Sequence, residues 1–144
     1  MVEDLFAYFL LFAIGFSFLN NFVGHVFFGV YSAQFIGWKQ SPFQAELGFA
    51  SLGFSVIAFI AFRGPLRVRA AAVAGVSCSM LGAAGGHVYQ MIVAKNFAPG
   101  NAGVVFWSGI GIPLIGFALL WLQHRLGREP APLERTPGEV AGTR

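Results

Sequence analysis

From Leu5 to Trp38 the chain carries no Asp, Glu, Lys or Arg, and this one stretch decides what kind of molecule it is. A helix needs about 20 apolar residues to cross a hydrocarbon core about 30 Å thick, so the stretch is more than long enough. Two further charge-free stretches run from Ala70 to Ala94 and from Ala102 to Leu122, and another, from about Phe43 to Phe62, holds only Glu46 near its start. Four crossings fit. Charged residues make up 10% of the 144-residue chain, against about 25% in soluble domains. That is too few to cover a surface facing water. A transmembrane barrel would read as segments of about ten residues alternating apolar and polar, and no such alternation is present.

The sequence therefore predicts an all-α integral membrane protein, a four-transmembrane-helix bundle with helices over about 5–36, 42–62, 68–94 and 102–124. These form one unit, 1–126, because the length fits a single domain. The remainder, 127–144, is rich in Pro, Gly and charge and reads as a disordered cytoplasmic tail. Glu3 and Asp4 precede the first apolar run where a secretory leader would be cationic, so a cleaved signal peptide is not expected.

Orientation follows from the arginines. Arg63, Arg67 and Arg69 lie between the second and third crossings and Arg125 and Arg128 follow the fourth, whereas the other two loops carry only Lys39 and Lys95. Cytoplasmic loops are enriched in Lys and Arg, which predicts a multi-pass protein of the cell inner membrane with both termini cytoplasmic. Trp38 and Trp107 then fall at the outer boundary and Trp121 at the inner one, where interfacial aromatics gather. The 17 Phe and 19 Gly fit lipid-facing packing and close helix approach. Ser41-Pro42-Phe43-Gln44 predicts a helix beginning at Pro42, with Gln44 reaching back to the cap. In Pro99-Gly100-Asn101 the asparagine is expected to cap the fourth helix.

Gly24-His25-Val26 and Gly86-His87-Val88 are the same tripeptide on two helices that run in the same direction. This is the pattern expected of a duplicated helical hairpin, and it predicts histidines that face each other at related depths. Ionisable groups within a membrane are costly and mark functional candidates. The candidate ligand-binding set is Asn21, His25, Glu46, His87 and Gln90, since Asn21 shares a helix face with His25 and Gln90 with His87. His25, His87 and Glu46 form the metal-ligating subset, because two imidazoles and a carboxylate suit Zn, Fe or Cu.

Ile36-Gly37-Trp38, Ser41-Pro42-Phe43-Gln44 with Glu46-Leu47-Gly48, and Asn96-Phe97-Ala98-Pro99-Gly100-Asn101-Ala102-Gly103 together resemble an uncharacterised family of small bacterial four-helix membrane proteins. The resemblance covers about residues 20 to 122 and implies a shared bundle, not an activity. This chain lacks the acidic residue that the family pattern carries near Ser108-Gly109, so no role resting on a carboxylate there is carried over.

Several readings of function stay open on these residues. One is an outer-half polar pocket for an ion, metal or small ligand. Another is an electron-transfer protein with haem b held between the two imidazoles. A third is an oligomeric proton or small-solute conduit with histidine relays, and the fourth is a structural or accessory subunit in which the histidines only bridge helices. No nucleophile, base and carboxylate can be assembled from the spacing, which leans away from an enzyme. Cys78 stands alone and is expected to be buried in the third helix, so there is neither a disulfide nor a CxxC pair. The expected partners are the lipid bilayer and a second copy or a membrane complex. Nucleic acid is excluded, the few basic residues being topological.

Overall fold

The computed structural model describes residues 1–127, and the tail expected from Gly127 onward falls almost wholly outside the described residues. Among the described residues there are helices and connecting turns and no strand. The first span comprises α1 (Val2–Tyr8), a π-helical stretch (Phe9–Phe16) and α2 (Ser17–Phe27), and is followed by α3 (Gly29–Ile36). Next come α4 (Phe43–Phe62), α5 (Leu66–Val93), the short α6 (Pro99–Ala102) and α7 (Val104–Leu126). Four helical stretches are long and apolar enough to cross a membrane: Val2–Phe27, Phe43–Phe62, Leu66–Val93 and Pro99–Leu126. The protein is an all-α bundle and a multi-pass membrane protein.

Along α4 the burial pattern is the reverse of that in a soluble bundle. On α4 the buried residues are Gly48, Ser51, Ser55, Ala58 and Ala61, while Phe43, Phe49 and Ile60 point outward. Large apolar groups dissolve in lipid as well as in protein, so small side chains that let backbones approach decide which face is interior. A Cβ on Gly48 would lie 2.5 Å from Val26 Cγ2, and one on Gly116 of α7 would lie 3.1 Å from Val73 Cγ1 of α5. These glycines mark the seams α2–α4 and α5–α7. The same stripe logic places Cys78 on the surface, correcting the expectation that it is buried. Val73, Val76 and Ser77 hold the interior face, and the next residue along a helix is turned about 100° away from it.

Where the sequence predicted one helix over 5–36, the chain breaks at Phe28, whose φ of −124° and ψ of 34° leave the helical region. The Ser32 hydroxyl donates to Gly24 O at 2.9 Å, and the carbonyl of Gly29 accepts from the Gln44 side chain at 3.1 Å. Polar side chains thus satisfy backbone groups around the break. Crossing is complete by Phe27, since 26 residues from Val2 already exceed the length a core requires. The following α3 is free to turn across the end of the bundle towards α5 and α6, and it packs on α6.

At the opposite end the core gathers Phe6, Leu10, Ile14, Ala61, Val73 and Leu119, and the buried Arg69 closes it. The Arg69 guanidinium donates to Ala61 O at 3.3 Å, Phe62 O at 3.1 Å and Gln123 Oε1 at 3.0 Å, and its Cζ sits 5.6 Å from the centre of the Phe6 ring. One side chain therefore ties the N-terminal helix, the end of α4 and the end of α7 to α5. The two carbonyls belong to the last turn of α4, where the helix dipole favours a cation. Glu3 lies 3.8 Å from Arg69 but is 73% exposed, so this ion pair adds little.

Candidate functional site: two histidine–carboxamide pairs

Both histidines are buried at the end of the bundle remote from Arg69, and each is held by a carboxamide. His25 on α2 meets Gln44 Oε1 through Nδ1, while Gln44 Nε2 donates to Gly29 O at 3.1 Å. His87 on α5 meets Asn101 Oδ1 through Nδ1 at 2.8 Å. Asn101, wholly buried, donates Nδ2 to His87 O at 3.2 Å and Asn96 O at 2.9 Å, and its Oδ1 also accepts the Trp38 indole N–H at 2.9 Å.

These partners fix the protons. A carbonyl can only accept and an indole N–H can only donate, so the NH2 groups of both carboxamides face backbone carbonyls and their oxygens face imidazole. Each imidazole must then donate from Nδ1. In the neutral ring that leaves Nε2 a bare acceptor. No buried side-chain nitrogen or oxygen among the described residues lacks a partner, and neither Nε2 makes a hydrogen bond. Neither Nε2 is therefore completely enclosed.

The two surroundings differ. His25 lines a crevice of about 350 Å³ together with Phe28, Tyr31, Gln40, Ser41 and Gln44, and His87 is not part of its wall. His87 packs against the Trp38 indole, ring centres 5.5 Å apart. The knot around it continues through Asn96, whose Nδ2 donates to Ile36 O at 2.9 Å and Gly37 O at 3.1 Å. Gly37 has φ of +72°, and a Cβ there would lie 2.8 Å from Asn96 Oδ1. Only glycine suits both that backbone and that approach. Gly100 is pressed as closely on Phe35, 2.6 Å from a would-be Cβ. The Ile36-Gly37-Trp38 and Asn96-to-Gly103 segments, far apart in the chain, are thus one bolted contact.

The predicted set is not brought together. Asn21 donates to Ser51 Oγ at 2.8 Å and Ser51 to Leu47 O at 2.8 Å, inside the α2–α4 seam. Glu46 is exposed and Gln90 half-buried. Among the described residues no three His, Cys, Asp or Glu side chains are grouped so as to hold a metal ion. The two imidazoles have separate hydrogen-bond partners, and the crevice that His25 lines does not include His87.

Three residues of the site carried other readings in the sequence. Gln44 is not a cap: α4 begins after Pro42 with no side-chain cap bond, and its amide serves His25. Asn101 likewise caps nothing by its side chain and is the hub of the second pair. Trp38, read as an interfacial aromatic, donates into that hub. One sequence signal matches this pairing. Gln44 and Asn101 each stand two residues after a proline, in Pro42-Phe43-Gln44 and Pro99-Gly100-Asn101, just as each histidine stands in Gly-His-Val. Gly-His-Val paired with a carboxamide two residues after a proline thus occurs twice in the chain.

Neither a curated protein nor a solved structure matches the chain. A family model does, across residues 1–129, which takes in all four spans, the crevice and the Asn101 knot. The chain belongs to DUF6790, a family of unknown function.

Proposed function

We propose that the protein binds a small membrane-borne ligand in the His25 crevice and that the ligand presents a hydroxyl or ammonium donor to His25 Nε2. The supporting observation is the lock that Gln44 places on Nδ1. It turns His25 into an acceptor towards whatever enters, which favours a donor headgroup and disfavours a bare carbonyl or carboxylate. Phe28, Val30 and Tyr31 line the crevice and are 54%, 54% and 72% exposed, a rim suited to an apolar tail reaching in from lipid. By the arginine distribution the crevice lies in the outer half of a cell inner membrane and both termini are cytoplasmic. A reporter fused after Arg128 is expected to score as cytoplasmic, and a periplasmic score would invert the site.

The test is a titration of the protein, with 15N-labelled histidine, using a monoacylglycerol and its methyl ether. The hydroxyl amphiphile is expected to shift His25 Nε2 and the ether is not, with His87 unmoved and the response lost in His25→Gln. Equal responses to both amphiphiles, or none, would remove the reading. Zinc displacing the amphiphile would instead assign the same atom to metal ligation.

A structural or accessory role in a membrane complex is favoured by a different observation. Asn101 is fully buried and its hydrogen bonds all run to other parts of the chain, so the His87 pair supports the fold's end cap in any case.

A further inference from the structure

A second cavity, of about 450 Å³, lies at the Arg69 end between α5 and α7. Its floor is apolar, formed by Leu66, Ala70, Phe117 and Leu120, and Arg67 and His124 stand on its wall. Trp121 also lines it, and the Arg125 guanidinium lies over that indole at 5.2 Å. Arg67 and Arg125 are exposed at their ends. Among the described residues the acidic groups at this end are Glu3, 3.8 Å from Arg69, and Asp4, 2.9 Å from the N-terminal ammonium, and neither lines the cavity. Among the described residues the one remaining carboxylate, Glu46, is at the start of α4, the opposite end of the bundle.

From this arrangement we infer that the α5–α7 cavity is a binding site for an anionic phospholipid, its acyl chain on the Leu66–Phe117–Leu120 floor and its phosphodiester between Arg67 and Arg125. An apolar slot with one guanidinium on its wall and a second stacked on an indole that lines it matches a lipid in both polarity and charge. Arg planes and Trp edges hold phosphate and interfacial groups well, and basic pockets between membrane helices on the cytoplasmic side are suited to anionic headgroups. A second copy docked symmetrically through this face would bring the same cations against themselves. The charge of the rim thus favours a lipid as the occupant. The proposal is independent of the His25 crevice, which lies at the other end.

The test uses the full chain in detergent, offered dioleoylphosphatidylglycerol and dioleoylphosphatidylcholine at equal concentration, with bound lipid read by native mass spectrometry. Phosphatidylglycerol is expected to be retained in preference. Arg67→Gln and Arg125→Gln should each weaken its apparent affinity about fivefold, the effect of one surface cation, and the double variant about 25-fold. Phosphatidylcholine carries the same phosphodiester offset by its choline cation, so its retention should fall by a smaller factor. Arg63→Gln is the control, because Arg63 stacks on Phe62 at 5.3 Å and does not line the cavity; it should leave retention nearly unchanged. Equal retention of the two lipids, a loss at Arg63 equal to that at Arg67, or dimers in place of lipid adducts would each overturn the proposal.

Discussion

Asn101→Asp is expected to destabilise the protein by about 3 kcal/mol or more, although the two side chains have nearly the same shape. Asn101 Nδ2 donates to His87 O and Asn96 O, and its Oδ1 accepts from Trp38 and His87, all at a position with no exposure. A carboxylate keeps the second pair of bonds and loses the first, leaving two carbonyls facing an anion in a dry site. Each unsatisfied buried group costs about 1–3 kcal/mol and a charged one more. His87→Gln removes one ring from the same knot and should cost far less, near the average of about 0.6 kcal/mol for an interhelical hydrogen bond in a membrane protein. Unfolding in mixed micelles, followed by circular dichroism for both variants, checks the contrast. Similar costs for the two would mean that the knot does not carry the end cap.

Arg69→Ala should be comparably severe, with a loss of about 3 kcal/mol. The alanine removes charge-assisted bonds to Ala61 O, Phe62 O and Gln123, each worth about 1.5–3 kcal/mol, and empties the space over Phe6. Arg69→Lys should recover only part of this, because an ammonium cannot present a planar fork to acceptors on two helices. The neighbouring Arg67, exposed at its end, should tolerate alanine within about 0.5 kcal/mol. The same unfolding measurement applies. Equal effects at Arg67 and Arg69 would show that Arg69 acts only as a topological charge.

The spans were legible because their signal is compositional. A charge-free run long enough to cross lipid has few other readings, and Gly64-Pro65 between α4 and α5 leaves the chain little choice of where to turn. The break at Phe28 was not legible, since it depends on Ser32, Gln44 and Gly29 meeting across a tertiary contact. Burial of Arg69 was hidden for the same reason. Its neighbours in sequence are exposed arginines, and only the assembled helix ends give it acceptors.

The candidate site was half legible. Gly-His-Val marked both histidines correctly as interior groups, and membrane cost alone justified that. Their partners were misread because Ser-Pro-Phe-Gln and Pro-Gly-Asn satisfy local capping rules, and local rules give no account of a side chain that spans from one helix to another. Pooling five polar residues into one pocket failed on the same point. Shared helix faces fix direction, but Asn21 found Ser51 and His87 found Asn101 before either could reach His25.

Both the crevice reading and the end cap rest on the two Nδ1 protons. The most direct test is a long-range 15N–1H correlation spectrum of the histidine side chains in the purified full-length protein, with His25→Gln and His87→Gln to assign the signals. The account predicts that both neutral rings carry the proton on Nδ1 and leave Nε2 as the acceptor. A proton on Nε2 of His25 would contradict it, because the ring would then offer a donor to the crevice and Gln44 would have to be turned away from Gly29.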